Sequence, residues 1–548
     1  MKLSKLFSLA ILVALFCVSL IRAQDDHQHQ HHHDAPENLG QVNFPISCSP
    51  SAQKQFNRAA ALLHSFWYEE AEKTFTEVTM IDPGCAMGYW GIAMSNYHPL
   101  WAAPNPAELK RGSAAVEKAK GAGAKTDRER DYIAAIEAFY KDSDKLDHRA
   151  RAIAYEKAME QVYRRYPQDR EAAIFYALSL LGTALPTDKS YANQKRAAEI
   201  LNRVLPAEAR HPGVAHYIIH SFDYPALAQL ALPAARSYAK IAASSPHALH
   251  MPSHIFTRLG LWRESIQSNI ASAAAAKNHV AKTHPGAASF DQLHAMDYLE
   301  YAYLQGAQDR KAKAVVDELG RISKLDLENF AAAYAFAAIP ARYTLERGRW
   351  AEAAKLEPHP PGFPWNRFPY AEAIIYFARA MGAARGGDAA AARKDVEKLA
   401  AIQNALARAK DVYWADQVEI QRRAAAAWLA LAEGDREKAL EMMRAAAELE
   451  DSTEKHPVTP GAIIPAREML GSLLIELNQP EQALREFENS LRQAPNRFNG
   501  LYGAARAAEL SGDRTKAAEY YARLVKLCER ADGPRPELEQ AKRFLERK

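Results

Sequence analysis

From Ser51 to the end of the chain, apolar residues recur at helical spacing, and no stretch keeps the strict alternation of a half-buried strand. Short turns interrupt this pattern, for example at Gly260, Gly306 and Gly512. The segments after the later turns are amphipathic and carry a small residue that suits close packing, as in Glu481-Gln482-Ala483-Leu484. The pattern predicts an all-α protein built from tandem helical hairpins.

Two parts of the chain have the most regular hairpins. Near the N-terminus, Tyr68-Glu69-Glu70-Ala71 leads through Phe75 to Asp82-Pro83, and near the C-terminus Glu481 to Phe487 leads to Ala494-Pro495-Asn496. These units resemble the tetratricopeptide repeat, in which a helix pair recurs about every 34 residues. The resemblance implies hairpins stacked as a right-handed superhelix (an α-solenoid), with the first helix of each pair lining its concave face.

Two further blocks resemble those of a narrower family. Leu62-Leu63-His64-Ser65-Phe66-Trp67 and His250-Met251-Pro252-Ser253-His254 are similar to segments of an exported bacterial family with these repeats. No reaction is established for that family. The resemblance therefore implies a fold and assigns no catalytic residue.

The first 23 residues have the organisation of a signal peptide. Lys2 and Lys5 precede an apolar stretch from Leu6 to Ile21, and Ala23 is a suitable last residue before cleavage. An uncleaved anchor is the alternative, although the stretch is short for one. We therefore expect an exported protein, periplasmic or secreted.

Residues 24–50 are predicted to form a disordered, histidine-rich linker. Five histidines lie between Asp25 and Asp34, and such a polar tract cannot bury a core. It could bind zinc or copper loosely, or serve only as a linker. The helical repeats are expected to form an N-terminal block over residues 51–310 and a C-terminal block over residues 311–548.

Composition excludes several classes of protein. The chain has 548 residues, of which 48% are hydrophobic and 25% charged, with a formal net charge of +4. Part of that excess lies in the leader, so a role that depends on overall positive charge, such as coating nucleic acid or an anionic membrane, is not expected. Phosphate-binding loops, dinucleotide-binding glycine motifs, nucleophile elbows and HExxH zinc motifs do not occur in the sequence.

Three cysteines follow the leader. Cys48 and Cys85 lie near proline turns and are the natural disulfide pair in an oxidising compartment, with Cys528 left over. Three buried free thiols are the alternative. The spacing does not support a structural zinc site.

The remaining histidines are strongly clustered, with six of them between residues 211 and 254. His216 and His220 are four apart, as are His250 and His254, so each pair shares one face of a helix. These helices are expected to be neighbours on the concave face. We therefore predict that four histidines converge on one metal site, with further ligands or supporting residues nearby. The predicted set is His216, His220, His250 and His254, with His247, His294, Asp223 and Asp297 around them.

Imidazole ligands suit zinc, copper or iron, so a divalent transition metal is the expected cofactor. The alternative is structural: histidines at the helix break near Pro252 could donate to backbone carbonyls and hold neighbouring repeats in register.

Three functions are compatible with these features. The first is an exported scaffold that binds a protein or peptide in its concave groove, without nucleic acid or membrane as a partner. The second is a metalloenzyme that uses the histidine cluster, and the third is a copper- or zinc-handling protein. A deep cavity with converging histidines would favour the enzyme, whereas an open groove would favour the scaffold.

Overall fold

The structure is a computed structural model that describes residues 37–101 and 103–547. The predicted signal peptide and the five histidines of the predicted linker lie outside the described residues. Asn38–Lys548 form one compact unit. None of the helices in the described part of the chain combines the length and apolar character that a membrane crossing needs.

The first half of this unit is made of short and medium-length helices. In chain order they are α1 (Pro50–His64), α2 (Tyr68–Ile81), α3 (Ala86–Ser95), α4 (Pro106–Ala122), α5 (Asp127–Tyr140), α6 (His148–Arg165), α7 (Arg170–Thr183), α8 (Ala192–Val204), α9 (Pro212–Phe222), α10 (Leu232–Ile241), α11 (Pro246–His250), α12 (Pro252–Arg258) and α13 (Trp262–Thr283). A 3₁₀ turn, Ala228–Ala231, precedes α10.

The second half continues in the same way. Its helices are α14 (Phe290–Gln305), α15 (Asp309–Leu319), α16 (Phe330–Leu345), α17 (Trp350–Ala353), α18 (Pro369–Arg385), α19 (Ala389–Arg408), α20 (Val412–Ala432), α21 (Arg436–Asp451), α22 (Ala466–Glu476), α23 (Pro480–Gln493), α24 (Phe498–Leu510), α25 (Arg514–Leu527) and α26 (Pro536–Glu546), with a 3₁₀ turn at Trp365–Arg367. The described residues contain no β-strand, which confirms the prediction of an all-α fold.

Successive helices pack as hairpins, and the first helices of neighbouring hairpins also touch, as α14, α16, α18 and α20 do in turn. The close packing depends on small residues. Gly91 of α3 lies against the ring of Phe75 of α2, and Gly503 of α24 lies against Phe487 of α23. The two phenylalanines occupy the same position of the repeat, so both ends of the chain use one packing rule.

The array bends back on itself in both halves. Helix α1 contacts α9, and α14 contacts α24. In the second contact, the guanidinium of Arg497 donates a hydrogen bond to the hydroxyl of Tyr301 over 2.6 Å. Buried apolar side chains form one large core between Leu39 and Phe256 and another between Leu293 and Ala541. Trp101 packs against both cores.

Residues 38–49 are packed against the body, unlike the disorder predicted for residues 24–50. Phe44 is fully buried, with its ring 5.3 Å from that of Phe56 and 5.5 Å from that of Trp90. The ring of Phe44 anchors this segment, whereas the polar tract that motivated the prediction ends at Asp34. Cys48 and Cys85 form the predicted disulfide, which ties the end of the segment to the start of α3.

The glycine packing predicts opposite effects of alanine at two helical positions. A β-carbon at Gly91 would overlap the Phe75 ring, whereas Gly121 in α4 has nothing within 4 Å of that position. We expect Gly91→Ala to lower the free energy of unfolding by about 1–3 kcal/mol through overpacking. Gly121→Ala should raise it by about 0.5–1 kcal/mol through helix propensity. Chemical denaturation of both variants checks this, and equal effects at the two sites would contradict the packing rule.

Candidate metal centre

The structure brings the six predicted histidines together in the interior. His216 and His220 lie on α9, His247 and His250 on α11, His254 on α12 and His294 on α14, and all are buried. Their ring nitrogens form two groups, and within each group the nitrogens lie within 4.8 Å of one another. We call His216, His220 and His247 the first triad and His250, His254 and His294 the second triad.

The first triad centres on the Nε2 atom of His216. It lies 3.1 Å from Nε2 of His220 and 3.2 Å from Nε2 of His247. The other nitrogen of His216, Nδ1, is 2.7 Å from the carbonyl oxygen of His64. A carbonyl can only accept, so the hydrogen of His216 is on Nδ1 and its Nε2 presents a lone pair. One lone pair accepts one hydrogen bond well, so hydrogen bonding alone leaves one of the two Nε2 contacts unexplained.

In the second triad, hydrogen bonds to residues outside the triad fix the tautomers of His250 and His254. Nδ1 of His254 is 3.0 Å from a carboxylate oxygen of Asp223, and Nδ1 of His250 is 2.7 Å from Oδ1 of Asn269. The amide of Asn269 is oriented by its own Nδ2, which donates to the carbonyl of Ser265 over 2.8 Å. Both histidines therefore donate through Nδ1 and present lone pairs at Nε2.

These two lone pairs face each other. The Nε2 atoms of His250 and His254 are 3.0 Å apart. Burial lowers the pKa of both imidazoles, so neither ring is charged at neutral pH. Two lone pairs at that distance repel each other unless a cation lies between them.

The spacing of the nitrogens is that of ligands around one ion. Two nitrogens at about 2.0 Å from a tetrahedral ion lie about 3.3 Å apart. The Nε2 contacts in the two triads are 3.0–3.2 Å. Burial also lowers the pKa of His216, to about 3, which keeps its imidazole in the neutral form that metals bind.

The two triads are neighbours. The ring centroids of His220 and His254 are 5.9 Å apart, and those of His247 and His250 are 6.1 Å apart. His294 completes the second triad with its ring 4.1 Å from that of His250. The prediction placed His216, His220, His250 and His254 around one metal site, whereas the structure divides them between two neighbouring groups.

Asp223 stands behind a histidine and is not a member of either triad. It accepts hydrogen bonds from Nδ1 of His254, from Nε of Arg258 over 2.9 Å and from Nζ of Lys455 over 2.7 Å. Burial alone would raise the pKa of Asp223, but Lys455 and Arg258 bring it well below its usual range. The ionised carboxylate orients the His254 ring and raises the basicity of its Nε2.

Asp297 is turned towards a different partner. Its Oδ1 accepts a hydrogen bond from Arg342 of α16 over 2.7 Å, and Arg342 also pairs with Glu300 at 3.2 Å. All three side chains are buried. The spacing of His294 and Asp297 predicted that both belong to the metal site. Instead, the Asp297 carboxylate forms an ion pair with buried Arg342 on the neighbouring helix α16.

A third histidine group centres on a carboxylate, and Nδ1 of its His211 has no hydrogen-bond partner among the described residues. Glu171 of α7 accepts from Nε2 of His64 over 2.9 Å and from Nε2 of His211 over 3.0 Å. The Tyr217 hydroxyl donates to Nδ1 of His64 over 2.9 Å. Burial alone would raise the pKa of Glu171, but His211 and His64 bring it below its usual range. This group positions His64, whose carbonyl is the acceptor for His216.

Beside the first triad lies a cavity of about 460 Å³, bounded by residues from both cores. His220 and Asp223 reach it from the first half, and Phe330, Trp414 and Lys455 reach it from the second. Burial lowers the pKa of Lys455 to about 8.

Sequence reasoning missed Asn269, Lys455 and this cavity. Lys455 lies 232 residues from Asp223, so no spacing along the chain could reveal the contact. Asn269 of α13 has no distinguishing neighbour in sequence.

The position of Asp297 predicts separable effects on stability and metal content. Asp297→Asn should lower the free energy of unfolding by about 3 kcal/mol, because buried Arg342 loses a charged partner. The metal content of the purified protein should not change, since Asp297 belongs to neither triad. Thermal denaturation and elemental analysis of the same sample test both statements. Loss of one ion with unchanged stability would make Asp297 a ligand.

Comparisons with known proteins leave the family open. No family model matches the chain, and no curated protein matches it. Among solved structures, yeast Tom70 has a TM-score of 0.32 at 10% identity, with 90% of this chain and 95% of that chain covered. The Naa15/Naa10 complex bound to HypK-THB has a TM-score of 0.22 at 13% identity, with 90% of this chain and 73% of that chain covered. The human IFIT1 dimer with m7Gppp-AAAA has a TM-score of 0.37 at 11% identity, with 81% of this chain and 90% of that chain covered. This chain is similar to them in overall helical arrangement, and likenesses of this size carry no argument about what it does.

Proposed function

We propose that this protein is an exported metalloenzyme whose two triads each bind one transition-metal ion. The observation that carries the proposal is the pair of Nε2 lone pairs of His250 and His254, which face each other at 3.0 Å. Their Nδ1 hydrogens are committed to Asn269 and Asp223, so neither ring can relieve the repulsion by changing tautomer. A metal ion between the nitrogens supplies the missing positive charge.

The ligand set favours copper or zinc. Each triad offers three imidazole nitrogens and neither a thiolate nor a carboxylate. Structural zinc sites are commonly closed by thiolates, and non-haem iron sites use two histidines with one carboxylate. Three histidines per ion leave a coordination position for water or substrate, which is the arrangement of catalytic sites.

The cavity favours an enzyme over the other two functions. It has the volume of a small-molecule site and reaches the first triad at His220. An ion at such a place can polarise a bound group or activate a water molecule. A metal-handling protein would benefit from accessible ligands, but all six histidines are buried. Binding of a protein or peptide in a concave groove stays a prediction that the repeat architecture alone motivates.

Export is supported by two features. The first 23 residues have the organisation of a signal peptide. Cys48 and Cys85 form a disulfide, which persists mainly in oxidising compartments.

The decisive experiment removes one ligand from each triad. The histidines of the N-terminal tract are first replaced by serine, so that they cannot contribute metal: His27, His29, His31, His32 and His33. In that background we expect two ions per chain by elemental analysis. His220→Ala combined with His254→Ala should reduce this to near zero, because each ion loses one of three protein ligands.

The matched control is His284→Ala, since His284 is exposed and belongs to neither triad. It should keep both ions. If the unaltered background binds no metal and the double variant only melts at a lower temperature, the histidines are structural and the proposal is wrong.

A second variant addresses one ion alone. Asn269→Leu removes the acceptor that holds Nδ1 of His250 while keeping a side chain that branches at Cγ. Loss of such an outer partner typically weakens metal binding about 10- to 100-fold. Competition with a chelator should therefore show one weakened ion and one unchanged ion. Equal weakening of both, or of neither, would contradict the assignment of His250 to a separate triad.

A further inference from the structure

The cavity beside the first triad has an aromatic wall. The rings of Tyr370 and Trp414 are stacked with centroids 4.4 Å apart, and the ring of His456 also stacks with that of Trp414, at 5.4 Å. Phe330 lies 5.4 Å from Trp414, and Trp101 contributes a further ring from the first half of the chain. Rings held in this way by one another form a firm surface, against which a flat apolar ligand can pack.

Aromatic rings also connect the cavity with the triads. The Trp101 ring is 5.4 Å from that of His247 and 5.9 Å from that of His294. Trp101 therefore touches both triads while lining the cavity. A ligand that packs against the aromatic wall would therefore lie close to the histidines of the triads.

If the two triads hold metal ions, as the proposed function states, the histidine end of the cavity is positively charged and favours an anionic ligand. Six neutral imidazoles leave the charge of two metal ions uncompensated. Asp223, the carboxylate that contacts His254, is already paired with Arg258 and Lys455. An anionic group on a ligand would supply the missing charge.

Lys455 offers a donor for that group. Its ammonium has three hydrogens, of which Asp223 takes one at 2.7 Å and the carbonyl of His456 is a longer acceptor at 3.4 Å. The next carboxylate of the lining, Glu454, is engaged by Lys189 and by the Tyr191 hydroxyl, each at 2.8 Å. These contacts leave Lys455 with donor capacity inside the cavity that it lines together with His220.

One lining carboxylate opposes an anion. Asp411 accepts a hydrogen bond from the backbone N–H of Trp414 at the start of α20 and has no cation as hydrogen-bond partner among the described residues. Burial raises the pKa of Asp411. The anionic end of a ligand is therefore expected at Lys455 and His220, with the ring against Trp414.

We infer that the cavity binds a small aromatic anion, with its ring against Tyr370, Trp414 and His456 and its anionic oxygen at Lys455 beside the ion of the first triad. A carboxylate and a phenolate share this chemistry. The ligand class is thus a single aromatic ring that carries one negatively charged oxygen.

The test uses the metal-loaded full chain and three probes of matched size. Benzoate has both the ring and the charge, cyclohexanecarboxylate keeps the charge without the flat ring, and benzyl alcohol keeps the ring without the charge. Binding is followed by calorimetry and by tryptophan fluorescence, since Trp101 and Trp414 line the cavity. We expect benzoate to bind about tenfold more tightly than either of the other two.

Two variants assign the contacts. Lys455→Met should weaken benzoate about tenfold and leave benzyl alcohol unchanged, whereas Trp414→Leu should weaken both aromatic probes and spare cyclohexanecarboxylate. Lys398→Met, at an exposed lysine of α19, is the control and should bind like the unaltered protein. The ranking of the three probes on the unaltered protein stands even if Lys455→Met does not fold.

The outcomes separate this inference from the proposed function. Two ions per chain with equal affinity for the three probes would overturn the ligand class and leave the metal site intact. A preference for benzoate that depends on Lys455, in a protein that takes up no metal when metal is supplied, would support the ligand class and overturn the metal site. Binding of benzoate that ignores both Lys455→Met and Trp414→Leu would overturn the placement in this cavity.

Discussion

Three of the six buried imidazoles of this protein have a fixed tautomer, because their Nδ1 atoms have acceptors elsewhere in the fold. The Nδ1 hydrogens of His216, His250 and His254 are held by the His64 carbonyl, the Asn269 amide and the Asp223 carboxylate. Once these bonds are made, the Nε2 lone pairs of His250 and His254 point at each other. Rings that could exchange tautomers would form an ordinary hydrogen-bond chain. Fixed tautomers turn the same residues into a candidate ligand set.

Those acceptors come from helices that meet only through the stacking of hairpins. His64 lies at the end of α1, which packs against α9 and so brings its carbonyl to His216. Asn269 lies on α13, which packs against α11 and α12. The Glu171 carboxylate holds His64 in turn by accepting a hydrogen bond from its Nε2, and it accepts a second one from Nε2 of His211. The repeat architecture thus acts as a frame whose neighbouring helices supply both the ligands and the groups behind them.

Buried ion pairs join the second half of the chain to this frame. Lys455 reaches Asp223 from the loop after α21, and Arg497 pairs with Glu468 and Glu346 while donating to Tyr301 of α14. Removing one member of such a pair leaves an uncompensated buried charge, which is more costly than the pair is stabilising. The contact of Lys455 with Asp223 therefore makes the arrangement of the two halves specific, and the contacts of Arg497 hold the helices of the second half together. They also place the aromatic residues of the second half opposite the histidines of the first.

Periodicity and residue type along the chain determined the helices, their pairing and the faces they share. The helical hairpins, the one-turn spacing of His216 and His220, and the candidate pairing of Cys48 with Cys85 were predicted from the sequence, whereas the glycines opposite Phe75 and Phe487 were not. Only the tertiary structure decided that His247 joins the first triad and His250 the second, that Asp297 turns to Arg342, and that Lys455 closes on Asp223. The physical reason is range: helical geometry relates residues within a few turns, whereas contacts across dozens or hundreds of residues depend on how the hairpins stack.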